Sequence, residues 1–194
     1  MPSASWLNGW LSGDQLTAGE FKKGVGMVFD STAGGAVASF DTGAIIPAGY
    51  AHLRVVLQAR GDTAAVGTNL LVRFNNDSGA NYDIQYHVGQ ASAAAAAESF
   101  AGTSGYIGSM AAASAPASVS GQAEMIIANY AGTTFQKTYL SQSATKTGTT
   151  TGLMFAYHIS GFWRSTSAIN RITVFPAAGN FVAGHRMTVY VYGV

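Results

Sequence analysis

Hydrophobic and polar positions along this chain alternate with a period of two, the spacing of a strand with one buried face. The pattern is clearest over residues 51–60. Leu53, Val55, Leu57 and Ala59 fall on one face and His52, Arg54, Gln58 and Arg60 on the other, with only Val56 breaking the order. Such alternation predicts a half-buried antiparallel strand. The same period returns late in the chain, where Leu153, Phe155, Tyr157 and Ile159 alternate with Met154, Ala156 and His158. It returns again where Met187, Val189 and Val191 oppose Arg186, Thr188, Tyr190 and Tyr192. This last run is expected to close a sheet.

Shorter apolar runs predict further strands at 25–29, 36–40, 70–74, 82–88, 123–130, 134–140 and 169–175, divided by turn-forming residues. NNDSGAN at 75–81 and residues 131–133 are read as hairpin turns, and residues 176–180 as a turn. Gly161 interrupts its apolar run and predicts a bulge or corner. Residues 90–121 are Ala/Ser-rich. The alanine run at 91–97 has high helix propensity but is too short to stand alone as a helix. This excursion is expected to lie flat against a partner or its own sheet, with a linker as the competing reading. Residues 141–151 read as a Thr/Ser-rich tip.

About eight to ten short strands without a long helix predict an all-β protein, a sandwich or barrel. A two-sheet antiparallel β-sandwich of jelly-roll type is favoured, although spacing does not separate it from an immunoglobulin-like sandwich. Residues 21–194 form the predicted sandwich domain and residues 1–20 an N-terminal arm. In that arm Trp6, Leu7, Trp10 and Leu11 share one side of a short helix, with Gly9 and Gly13 weakening it. These four are the candidate partner-binding residues; the competing reading folds them back onto their own domain.

Composition narrows the function. The 194 residues suffice for one domain with a real core. Only 10% are charged and the formal net charge is +1, which leaves no basic patch for nucleic acid. The polar surface is built from small neutral side chains, which suits packing against neighbours. Cysteine is absent, which excludes disulfides and thiolate metal sites. No window reaches the roughly 18–20 apolar residues of a helical membrane span, and no signal peptide is legible. Assembly in a cytoplasm is expected, and no membrane partner.

The inventory for catalysis is small. His52, His87, His158 and His185 are scattered and form no zinc pair within one element. Asn75, Asn76, Asp77, Asn81 and Asp83 cluster oxygens around one turn, but without EF-hand spacing or a third carboxylate. An Asx-type turn is the expectation there, and no metal or other cofactor is assigned. No Gly-x-Ser-x-Gly elbow occurs, and Gly24–Gly26 lacks the rest of a nucleotide motif. Neither Asp77 with Asp83 nor Asp30 with Asp41 stands out as a glycosidase pair. Tyr190 and Tyr192 could stack on sugars, though strand tyrosines more often cover a sheet face. The expectation is a protein without enzymatic activity.

The closing segment AINRITVFPAAGNFVAGHRMTVYVYGV carries a strand, a turn with Pro176, Gly179, Asn180, Phe181 and Gly184, and a last strand ending in Tyr192–Gly193. This pattern resembles the C-terminal signature of a group of tailed-bacteriophage virion proteins. LLVRFNNDSGANYD, residues 70–83, is similar to a second segment of the same proteins. The two cover about a quarter of the chain. The resemblance implies a jelly-roll module on the particle exterior: a capsid decoration (cement) protein, or a tail or fibre component. It implies a virion location, other virion subunits such as the major capsid protein as partners, and a homo-oligomer matched to virion symmetry. Gly179 and Gly184 permit backbone angles closed to other residues, Asn180 tolerates a left-handed turn, and Phe181 would pin the turn to the core. The leading expectation is a decoration protein that bridges shell subunits. The alternative is a tail or fibre protein that binds a host surface glycan through loops such as residues 141–151.

Overall fold

The computed structural model describes residues 25–150 and 153–193. Among them it contains strands and no helix. The first six strands are β1 (Val25–Thr32), β2 (Phe40–Asp41), β3 (His52–Ala59), β4 (Gly67–Phe74), β5 (Tyr82–Gln90) and β6 (Ala93–Gly102). The remaining six are β7 (Gly105–Ala111), β8 (Gly121–Ala128), β9 (Lys137–Lys146), β10 (Met154–Trp163), β11 (Ile172–Pro176) and β12 (Arg186–Tyr192). They form an eight-stranded sheet, β1-β12-β3-β8-β9-β10-β5-β6, facing a four-stranded sheet, β2-β11-β4-β7. Neighbouring strands are antiparallel throughout. Neither sheet closes into a barrel.

The pairing has a simple order. β1 pairs β12, β2 pairs β11, β3 pairs β8 and β4 pairs β7. The chain is therefore a ribbon of nested antiparallel pairs, in which β1–β12 and β3–β8 join the large sheet while β2–β11 and β4–β7 form the small one. Two excursions, β5–β6 and β9–β10, extend the large sheet past β8. That sheet overhangs its smaller partner.

Alternation sets which side chains fill the space between the sheets. Leu53, Val55 and Leu57 of β3 and Met187, Val189 and Val191 of β12 face Leu70, Val72 and Phe74 of β4; all are buried. Phe74 anchors an aromatic group at one end of the core, with ring centroids 5.7 Å from Trp163, 5.8 Å from Tyr139 and 6.2 Å from Tyr82. Such pairs contribute roughly 0.5–1.5 kcal/mol each beyond the area they bury.

Several expectations are corrected. The 91–97 alanine run is neither helix nor linker: residues 90–121 hold all of β6 and β7. Among the described residues the strands number twelve rather than eight to ten. The run at 36–40 contributes only the short β2 and an isolated bridge from Val37 to Phe181. Gly161 marks no bulge, because β10 keeps an unbroken register with both neighbours. Residues 141–146 are not a tip but the second half of β9, with Ser141, Ser143 and Thr145 buried.

Candidate interaction surfaces

A sheet edge exposes unpaired N–H and C=O groups, so the four edges of this fold are where partners or guards are needed. Three of them are guarded. β1 carries a bulge between Met27 and Phe29, and its Asp30 carboxylate accepts from the Arg186 guanidinium and from Thr188 Oγ1 at 3.0 Å. β2 spans only two residues, and one of them, Asp41, is ion-paired with Arg171. The edge of β7 is sealed from the other sheet. Tyr139 Oη donates to the Tyr106 carbonyl at 3.1 Å and Ser141 Oγ to the Ile107 carbonyl at 2.8 Å, while Ser143 Oγ accepts the Ser109 N–H at 3.2 Å. Alternate residues of β9 thus satisfy successive backbone groups of β7. Gly108 makes room for this, since a Cβ there would overlap Ser143.

The fourth edge is β6. Its residues from Ala93 to Ala101 are exposed on both faces, and β5 is its one partner strand among the described residues. Under the overhang, Tyr86, Ile84 and Val88 of β5 and Tyr157 of β10 meet Leu71, Asn69, Ser104 and Tyr106 around a cleft of about 260 Å³. The tyrosine rings pack edge-on or tilted: Tyr86 to Tyr106 at 5.5 Å, Tyr106 to Tyr157 at 5.9 Å, Tyr86 to Tyr157 at 6.3 Å. Burial raises the Tyr106 phenol well above its ordinary range, with the Tyr157 and Tyr86 hydroxyls adding to the effect. The cleft therefore offers neutral aromatic surface.

A second depression, of about 530 Å³, lies on the outer face of the large sheet, lined by Val25, Arg54, Val56, Glu124, Ile126, Tyr190 and Tyr192. Register explains it: Met27, Tyr190, Arg54, Ile126 and Leu140 form one row across five strands. An Arg54–Glu124 ion pair at 2.7 Å crosses the floor. Val56, which breaks the alternation of its strand, lines this face. Tyr190 and Tyr192 also belong to it, with the Tyr192 ring 5.2 Å from that of His52.

Trp6, Leu7, Trp10 and Leu11 lie outside the described residues. The turn residues are placed by Asp62. Its carboxylate accepts from the Asn180 N–H at 2.7 Å and from Asn180 Nδ2 at 3.0 Å, bonds that hold its pKa below the usual carboxylate range. Left-handed backbone falls on Gly179 (φ 72°) and Gly184 (φ 85°), not on Asn180, which contributes its side chain instead. Phe181 is fully buried, 4.9 Å from the Phe40 ring, and bridges both Val37 and Gly61.

Residues 75–81 cross from β4 in one sheet to β5 in the other rather than closing a hairpin, and the side-chain oxygens of Asn75 and Asp77 are met by protein donors. Asp77 accepts from Gly79 N, Asn81 Nδ2 and Trp163 Nε1 at 2.6–2.8 Å. Burial pushes its carboxyl upward, but these donors outweigh that and leave the pKa lowered. Asn75 Oδ1 accepts the N–H groups of Asn170 and Arg171, and Asp83 is ion-paired with Arg164 at 2.6 Å. Asp30 and Asp41 belong to different sheets. His87 and His158 are brought face to face across β5 and β10, which their sequence separation did not reveal. No cluster of three metal-ligating side chains occurs among the described residues.

No known protein family matches the chain, and no curated protein does. Among solved structures, a DUF4425 family protein from Bacteroides ovatus aligns at 9% identity over 72% of this chain and 95% of its own, with a TM-score of 0.15. A structure of infectious bursal disease virus, Gt strain, aligns at 13% identity over 86% of this chain and 39% of that chain, with a TM-score of 0.13. Likenesses this weak carry no argument for fold or function.

Proposed function

We propose that this protein is a non-enzymatic structural component of a phage virion: a jelly-roll capsid decoration protein that bridges neighbouring shell subunits and acts as a homo-oligomer. The observation that carries this reading is the strand order. With the two excursions set aside, the nested pairs β1–β12, β2–β11, β3–β8 and β4–β7 alternate between two four-stranded layers, as a ribbon wrapped into a jelly roll does. That architecture agrees with what the resemblance at residues 70–83 and in the closing segment implies. The excursions widen one sheet into an overhang on which Phe100, Leu140, Met154 and Phe162 are exposed, a surface suited to packing on a neighbour. The carboxylates of Asp30, Asp41, Asp62, Asp77 and Asp83 are engaged by the protein's own donors, which supports contact rather than chemistry as its use.

The test is copy number and position on an intact particle. A shell protein is expected in hundreds of copies at repeated sites on the head, and a density map would place it there. Truncation of residues 1–20 should weaken attachment if the arm is an anchor; unchanged attachment removes the arm from the mechanism.

The tyrosine cleft favours a second reading, a tail or fibre protein that stacks a host glycan on Tyr86 and Tyr157. Residues 141–146 cannot be its loop, since they are strand. A few copies at the tail, with glycan binding lost in Tyr157→Ala, would replace the first reading with this one.

A further inference from the structure

We propose that the bare edge of β6 is a self-association site, at which the strand pairs antiparallel with β6 of a second copy and joins two large sheets into one. The inference is independent of any role in a virion. It rests on the contrast among the four edges. Bulge and ion pair protect β1, shortness and an ion pair protect β2, and hydroxyls from β9 bond three backbone groups of β7, whereas among the described residues the stretch of β6 from Ala93 to Ser99 has none of these devices. From Ala93 to Ser99 it contains no proline and no lysine, and its register with β5 runs without irregularity from Gln90–Ala93 to Ile84–Ser99. The bulge of this pair comes only afterwards, toward Tyr82 and Gly102.

Propensity sharpens the point. Alanine is among the best helix formers and is depleted in strands, so the run Ala93–Ala97 takes the extended form because β5 pairs with it. Its side chains are exposed on both faces and bury little, so its place in the sheet rests on the pairing with β5. A second strand on the open side would supply the missing hydrogen bonds.

Self-complementarity selects the occupant. Antiparallel pairing of a strand with its own copy is the isologous contact of a two-fold dimer. Here it sets alanine against alanine on either face, with no steric conflict in any register. Glu98 is the one charge on the strand. With the two-fold axis passing between Ala95 and its own copy, Ala94 faces Ala96 and each Glu98 faces Ser92 of the second copy, so the like charges stay apart.

The experiment measures the mass of the full chain in solution over about 1–100 µM, the range in which a moderate dimer dissociates. Two double variants accompany the wild type: Ala94→Lys with Ala96→Lys, and Ala94→Glu with Ala96→Glu. These positions pair with Gly89 and His87 on the exposed outer face, so circular dichroism and melting should be unchanged. The wild type is expected to dimerise, each variant to associate at least tenfold more weakly, and an equimolar mixture of the two to recover a dimer through opposite charges. Recovery in the mixture separates direct pairing from damage to the fold. A wild type monomeric throughout the range overturns the proposal. Association that survives in both variants, which would place the contact elsewhere, also overturns it, as does a mixture that stays monomeric.

Discussion

Tyr139 lies across Gly161, its direct cross-strand neighbour between β9 and β10, and its ring occupies the space a Cβ on Gly161 would need. Gly105 of the opposite sheet is just as close to the Tyr139 hydroxyl, which donates to the Tyr106 carbonyl. The tyrosine therefore spans the sandwich between two glycines. A glycine in a strand interior ordinarily weakens it, and here a cross-strand aromatic covers the bare backbone.

Gly161→Ala should thus destabilise the fold by about 1–3 kcal/mol, the usual cost of overpacking a filled core. Tyr139→Phe keeps the ring and removes only the hydrogen bond, at a cost of about 1 kcal/mol. Chemical denaturation midpoints should rank wild type above Tyr139→Phe, and that above Gly161→Ala. A Gly161→Ala protein as stable as wild type would mean that the ring has room to move.

The seal along β7 makes a separate prediction. Ser143→Ala removes the acceptor of the buried Ser109 N–H, and a buried donor left unpaired costs about 1–3 kcal/mol. The loss should be local as well as global. Amide exchange at Ser109 should accelerate relative to β3, whose backbone pairs on both sides. Equal acceleration in both strands would indicate general loosening rather than a broken seal.

Much of this was legible beforehand, and what was not has a common cause. β12 matches its predicted bounds because one face is apolar and the other polar, which is the pattern alternation detects. β6 shows no such contrast because it buries nothing on either face, and β7 shows none because it is buried throughout. The second half of β9 alternates well, but between buried hydroxyls and exposed residues, so a hydropathy pattern passes over it. Gly161 was visible as an anomaly. Its meaning required the partner strand that supplies Tyr139.

Arg60 was assigned to a polar face, but it organises a loop. Its guanidinium donates to the carbonyls of Pro116, Val119, Ala113 and Ala115 at 2.7–3.4 Å, gathering the segment between β7 and β8 around one cation. Lysine cannot reproduce that planar fork. Both Arg60→Lys and Arg60→Met should open residues 113–119 to limited proteolysis while the rest of the sandwich stays protected. Cleavage rates equal to wild type in both variants would show that the loop holds itself.

Alkaline pH should unfold the protein through its buried phenols. Burial raises Tyr82 and Tyr130 to about 12 and moves Tyr106 and Tyr139 upward as well, while their unfolded counterparts titrate near about 10. Above that value the unfolded chain releases protons that the folded chain retains, so unfolding becomes more favourable as pH rises. The stability these groups contribute is fully present below about pH 10 and is lost as pH climbs through the raised values. Lys137 acts in the opposite sense. Its ammonium donates to the carbonyls of Gly132, Phe135 and Thr166, and burial lowers its pKa, so its own term favours the fold as pH approaches about 10 from below. One lysine set against four tyrosines leaves the alkaline loss dominant. Denaturation midpoints should therefore fall steeply only above about pH 10, with the phenolate absorbance of these four tyrosines appearing together with the loss of β-structure rather than before it. Phenolate absorbance from these four tyrosines at that pH in a protein still fully folded would show that the hydroxyls are open to solvent.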